Sequence, residues 1–136
     1  MRRGLAGLIL LWGTALAGCA TPRAAPAITG TGWGFIAEPR TGTGARRVLF
    51  TLDRYVCERS RHEDVNPDFT TPAACVPLTI TRGEGYWLIP ALYLPTGSYI
   101  GASTREACDG LERRQGRNLP LAPRGLCRAA NIEPTP

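Results

Sequence analysis

The sequence predicts an α+β fold, a small twisted antiparallel sheet of four to five strands with one C-terminal helix, stapled by two disulfides. Three observations lead there. Apolar residues recur at a period of two through most of residues 33–102. A single stretch, Thr104 to Gln115, carries a helical pattern. Four cysteines, Cys57, Cys75, Cys108 and Cys127, flank polar, Pro-containing segments.

The elements follow in order. Trp33 to Glu38 is short and aromatic, and Thr41-Gly42-Thr43-Gly44 separates it from Arg47 to Cys57, where Val48, Phe50, Leu52 and Val56 mark one buried sheet face. That pair reads as a hairpin. Glu58 to Ala74 reads as a polar loop, with Pro67, Pro72 and a dense set of charges. Cys75 to Thr81 places Val76, Leu78 and Ile80 on one face, and Arg82-Gly83-Glu84-Gly85 reads as a turn into Tyr86 to Ile89, a second hairpin. Ala91 to Leu94 is a further short strand, closed by the turn Pro95-Thr96-Gly97-Ser98 before Tyr99 to Ala102. In the helix, Ser103 and Glu106 have capping-box spacing, Ala107, Cys108 and Leu111 share a side, and Gly116 stands at the C′ position. Gly110 weakens it by about 1 kcal/mol relative to Ala.

Length and composition bound the chemistry. At 136 residues the chain is about one domain, and 43% hydrophobic with 20% charged residues is a globular balance. All 16 cationic residues are Arg, so Schiff-base and P-loop chemistry, which need Lys, are excluded. Residues 1–18 have the form of an export signal: Arg2 and Arg3, an apolar run from Leu5 to Leu16, then small residues. The run is shorter than the roughly 20 residues a spanning helix needs.

The run ends in Leu16-Ala17-Gly18-Cys19, which resembles the lipobox of bacterial lipoprotein signal peptides at every position. The resemblance implies a diacylglyceryl thioether on Cys19, cleavage before it, and acylation of the freed amine. Removing residues 1–18 lowers the formal net charge from +5 to +3. Two or three acyl chains anchor a protein stably where one does not. In enterobacterial lipoproteins Asp after the lipid Cys retains the protein in the inner membrane, so Ala20 favours the periplasmic face of the outer membrane. The expected organisation is then residues 19–32 as lipidated Cys and tether, 33–128 as the globular domain, and 129–136 as a disordered tail bearing Pro134 and Pro136.

In an exported chain four remaining cysteines read as two disulfides; three connectivities are open, and the favoured one is Cys57–Cys75 with Cys108–Cys127, each closing a polar loop of about 19 residues beside a regular element. The spacings Cys57-x₄-His62 and Cys57-x₁₇-Cys75 match no zinc knuckle, no Cys-x-x-Cys exists, and no metal or other cofactor is expected. A hydrolase triad would have to use His62, the single His, with Ser60, Ser98 or Ser103 and a carboxylate such as Asp64. No Gly-x-Ser-x-Gly is present. Glu38, Asp53, Glu84 and Glu106 are available for glycosidase chemistry but carry no specificity among 11 acids. Gly30-Thr31-Gly32-Trp33-Gly34 precedes no helix and reads as the end of the tether, not a dinucleotide fingerprint.

Arginines cluster at Arg46, Arg47, Arg54, Arg59 and Arg61, and again at Arg113, Arg114, Arg117, Arg124 and Arg128. Outside the cytoplasm such charge suits anionic headgroups or an acidic protein face, and nucleic acid is not an expected partner. The residues expected to form a binding face are Arg59, Arg61, His62, Tyr86 and Trp87, although aromatic residues at strand spacing also read as core. The leading expectation is a non-enzymatic envelope lipoprotein, an accessory or adaptor subunit with a protein partner. An inhibitor or immunity protein against a hydrolase or toxin, with the 58–74 loop plugging a cleft, is the alternative, and a cell-wall- or lipid-active enzyme the second alternative.

Overall fold

Val48-Leu49-Phe50 is a continuous apolar run, and in the computed structural model, which describes residues 28–119 and 125–136, the reason is that its strand is buried on both faces. Six strands and two helices are found among the described residues: β1 (Gly30–Pro39), β2 (Arg47–Thr51), α1 (Arg54–Glu63), β3 (Phe69–Thr70), β4 (Val76–Pro90), β5 (Tyr99–Ala102), α2 (Arg105–Asn118) and β6 (Arg128–Pro134). The sheet is antiparallel throughout, in the order β3-β1-β2-β5-β4-β6. An added β1–β4 pairing closes β1, β2, β5 and β4 into a four-strand barrel.

Closure depends on the length of β4. Its first half pairs with β1, from Gly30↔Ile80 to Gly34↔Val76, and its second half pairs with β5, from Trp87↔Ala102 to Pro90↔Tyr99. The expected hairpin at residues 75–89 is therefore one bent strand. Residues 82–85 do not reverse the chain, because β6 continues past them, stepping from Asn131↔Thr81 to Ala130↔Tyr86. They form a bulge, with Gly85 at φ 139°.

Two apolar clusters result. One lies within the curled sheet: Val48, Phe50, Leu78, Ile80, Tyr86, Leu88, Ala130 and Ile132, with Ile28 against it. The other lies between the sheet and the helices, and holds Phe35, Leu49, Ile89, Ile100, Leu111 and all four cysteines of the domain. Cys57–Cys75 ties α1 to the entry of β4, and Cys108–Cys127 ties α2 to the entry of β6, the expected pairing.

Several expectations are corrected. The strand expected over Arg47 to Cys57 stops at Thr51, because Asp53 caps a helix: its Oδ1 accepts from the N–H groups of Tyr55 (2.7 Å) and Val56 (3.3 Å). Leu52, assigned to a buried face, is 62% exposed. The 58–74 loop consists of the rest of α1 followed by β3, which pairs with Glu38 and Pro39. Ala91 to Leu94 is a turn, not a strand, closed by the Leu94 N–H on the Ala91 carbonyl. Thr104, not Ser103, caps α2, since Ser103 Oγ accepts the Arg46 N–H at 2.8 Å. α2 runs through Gly116 to Asn118.

The boundaries also move. Gly30 to Gly32, expected in the tether, belong to β1, where a Cβ on Gly32 would press on the Phe50 ring at 2.7 Å, so glycine permits the close pairing. The tail expected at 129–136 is β6: Ala130 and Ile132 alternate inward, and β4 offers them a full strand edge. Two inward residues suffice when the partner strand is already built. The signal and Cys19 lie outside the described residues.

One network makes the first disulfide region rigid. Glu58 Oε1 accepts the Cys75 N–H (2.9 Å), Glu58 Oε2 accepts Arg61 Nε (2.8 Å), and Arg61 Nη1 reaches the Pro72 carbonyl (3.3 Å). The Cys75 N–H and Arg61 hold the Glu58 carboxyl below its ordinary pKa. A lowered carboxylate pKa contributes stability that is complete above the ordinary carboxylate range and is lost as pH falls through the lowered value. Glu58→Gln is accordingly expected to be less stable than wild type at neutral pH, with the gap closing on acidification. Urea melts of both proteins along a pH series test this, and a gap that stays constant with pH would contradict it.

Candidate functional site

Between α1 and α2 a groove opens over β2 and β5. It consists of two concavities, of 320 Å³ and 430 Å³, that share Arg47, Tyr93 and Ile100. On the α1 side Arg59, Ser60, Glu63 and Asp64 stand over Phe35 and Leu49. On the α2 side the lining is Leu111, Arg114, Gln115 and Leu119, with Leu92. The floor is the second apolar cluster, and the walls are helices held by the disulfides.

The turn at 91–94 projects into the groove because α2 holds it. Gln115 Oε1 accepts the Leu92 N–H (3.0 Å) and Gln115 Nε2 donates to the Pro90 carbonyl (3.1 Å). α2 is itself fixed by Glu112, whose two oxygens accept the N–H groups of Gly125 and Leu126 at 2.7 Å each. Leu92 (42%), Tyr93 (63%) and Leu119 (42%) are therefore exposed large apolar residues on one rim.

Charge is arranged unevenly around this rim. Arg47 pairs with Asp64 (3.7 Å) and also covers the Phe69 ring (5.2 Å), while Arg59 pairs with Glu63 (3.6 Å). Among the described residues Arg114 has no carboxylate within ion-pair distance, and every acid of the chain is among them. Desolvation in the groove pushes the Tyr93 hydroxyl pKa above the ordinary phenol value, with Asp64 adding to the rise and Arg47 opposing it. A neutral hydroxyl, one free guanidinium and apolar walls can bind an apolar side chain and a nearby anion.

The expected binding face is not assembled. Only Arg59 of its five members lines the groove. Arg61 is spent on Glu58 and Pro72, and His62, at the exposed end of α1, has its Nε2 3.2 Å from Arg61 Nη2. Tyr86 and Trp87 are adjacent in β4 and so point to opposite sides. Tyr86 is buried in the inner cluster with Arg46 over its ring (5.2 Å), and Trp87 packs on the other cluster under Arg105 (5.3 Å). Burial raises the Tyr86 pKa, Arg46 opposing and Glu38 adding to the rise. Ser60 lines the groove without His62, Ser98 is buried, and the four cysteines are oxidised rather than available as thiolate ligands.

The residues that do form the rim, Leu92, Tyr93, Arg114 and Leu119, come from the turn at 91–94 and from the C-terminal end of α2 with its cap. One local signal existed: Leu92-Tyr93-Leu94 is an apolar triplet bounded by Pro90 and Pro95, too short to be a core strand. No helix among the described residues is long and apolar enough to cross a membrane. The chain matches no protein-family model, no curated protein and no solved structure.

Proposed function

We propose that the protein is a lipid-anchored envelope adaptor, held through Cys19 at the periplasmic face of the outer membrane, whose α1–α2 groove receives an apolar segment of a partner protein. The observation that carries this reading is the rim of Leu92, Tyr93 and Leu119 beside the unpaired Arg114. Large apolar residues around a concave, preformed site are the usual anchors of a protein interface. Anchoring by lipid leaves the whole folded domain available for that contact.

A second reading, inhibition of a hydrolase or toxin, is favoured by Val65. It is 84% exposed, in a segment pinned by Cys57–Cys75, by the Arg61–Pro72 contact, and by Arg40 on the carbonyls of Asp68 and Phe69. A rigid projecting segment is what a cleft-blocking inhibitor needs.

Photo-crosslinking separates the two. A benzophenone amino acid replacing Tyr93 in the full lipoprotein is expected to give one envelope-protein adduct in cells, lost with Cys19→Ala. The same group at Val65 is expected to give none. Leu92→Ala is expected to weaken the interaction by about 2 kcal/mol, roughly thirtyfold in affinity. A soluble enzyme captured from position 65, with or without Cys19, would replace the adaptor reading with inhibition. Position 93 giving no adduct in correctly localised protein would overturn the groove as the docking site.

A further inference from the structure

β1 enters the barrel at the end where Gly30 pairs with Ile80 and Trp33 with Thr51. The residues just beyond Thr51 are Leu52, Asp53, Arg54 and Tyr55, all exposed, with Leu52 at 62% and Tyr55 at 73%. Trp33 is half-buried beneath the Arg54 guanidinium, 4.9 Å from its ring. The turn at Pro95–Ser98 closes against Leu52, since a Cβ on Gly97 would meet Leu52 Cδ1 at 2.6 Å. The Asp53 carboxylate is engaged by the first turn of α1. One end of the barrel thus presents Leu52, Arg54 and Tyr55, with the half-buried Trp33 beneath Arg54 and packed on the cluster under the helices. α1 leads away from it, to Asp64 beside Arg47 at the far end of β2.

This is also the end from which the chain leaves toward Cys19. Gly30 lies eleven positions after Cys19, a span of at most ~36 Å at about 3.3 Å each. On the lipoprotein reading, on which this inference rests, an anchor so close makes any contact of this end with lipid effectively intramolecular. Its composition matches the membrane interface. Trp and Tyr settle at headgroup depth, Leu enters the acyl boundary, and Arg lies along apolar surface while its guanidinium meets phosphate.

We propose that this end of the barrel is a membrane-docking face, with Leu52 and Tyr55 seated at the headgroup level and Arg54 on lipid phosphate directly over Trp33, so that the lipid anchor and the domain form one oriented contact. The orientation would hold α1 directed away from the bilayer. A lipid on Cys19 alone would not set the orientation of the domain.

The test uses the full lipidated protein, reconstituted in vesicles of phosphatidylethanolamine and phosphatidylglycerol, with lipids brominated near the carbonyl end of the acyl chains. After removal of the signal, Trp33 and Trp87 are the two tryptophans, and Trp87 packs on the cluster beneath the helices under Arg105. Emission from Trp33 is expected to shift to the blue and be quenched by brominated lipid. The quenchable part is expected to vanish in Trp33→Phe and in the exposed-site variant Leu52→Glu/Tyr55→Glu. Mass spectrometry of the same sample reports the lipid on Cys19. Lipidated protein whose Trp33 is not quenched would overturn docking and leave the anchor intact. A Cys19 without lipid would remove the anchor, and the docking proposal with it.

Discussion

Gly34→Val is expected to destabilise the native barrel strongly. A Cβ at this position would collide with the Leu49 carbonyl oxygen and stand 2.7 Å from Leu78 Cδ1. Neither neighbour has room to yield. Leu49 belongs to β2 and Leu78 to β4, and Gly34 is paired to both strands at once, opposite Phe50 and Val76. Moving the carbonyl separates β1 from β2, and moving Leu78 opens the inner cluster, where it is 1% exposed. Overpacking a core typically costs 1–3 kcal/mol, and a clash with backbone lies at or beyond that upper end, about 3 kcal/mol or more. Against the roughly 5–15 kcal/mol of a small domain this is a large share. Thermal melts and limited proteolysis read the loss. A variant with the wild-type melting temperature would mean that β1 does not close the barrel in this register.

Removing both disulfides is expected to have a comparable or larger effect. The bridges span 18 and 19 residues, and each constrains the unfolded chain by about 3 kcal/mol in the loop-entropy account. The loops do not overlap, so the two contributions add to about 6 kcal/mol. A further loss comes from packing, because all four cysteines are at most 7% exposed within the cluster beneath the helices. Urea unfolding of the Cys57→Ala/Cys75→Ala and Cys108→Ala/Cys127→Ala pairs, and of wild type under reductant, measures these terms separately. The second pair also frees the α2 wall of the groove, so its loss is expected to weaken crosslinking from position 93 before global unfolding. Melting curves unchanged by reductant would contradict both statements.

How far the fold was legible can be followed residue by residue. The alternation Val48, Phe50 and Leu78, Ile80, Leu88 identified strands because side chains alternate faces at a period of two wherever a sheet is buried. The cysteine pairing was legible only as a preference among three connectivities, because each favoured pair brackets one irregular segment beside a regular element, and the fold settles it. Asp53 was the signal missed: a helix-capping residue inside an apolar alternation, where Val56 fits both a strand continuing from Leu52 and the second turn of a helix. Residues 82–85 have the composition of a turn, and what makes them a bulge is β6 running alongside, a partner some 50 residues away. The groove was least legible, since Tyr93 and Arg114 meet only after α2 packs on the barrel.

By itself the sequence determined the local matters: cations that are all Arg, a sheet-dominated domain with a helix near its C-terminus, two disulfides with one pairing favoured among three, and a tetrapeptide ending in Cys19 that resembles a lipobox. Each depends on residue type and short spacing. Tertiary structure alone decided the closure of the barrel, the conversion of the expected tail into β6, and the separation of Tyr86 from Trp87 onto opposite faces. It also decided which arginines are spent in internal contacts and which remain free. The physical reason is that closure and burial are properties of pairs distant in sequence. Gly34 meets Leu49 and Leu78 only when three strands are in register, and β4 can serve β1, β5 and β6 together only because it bends within its length.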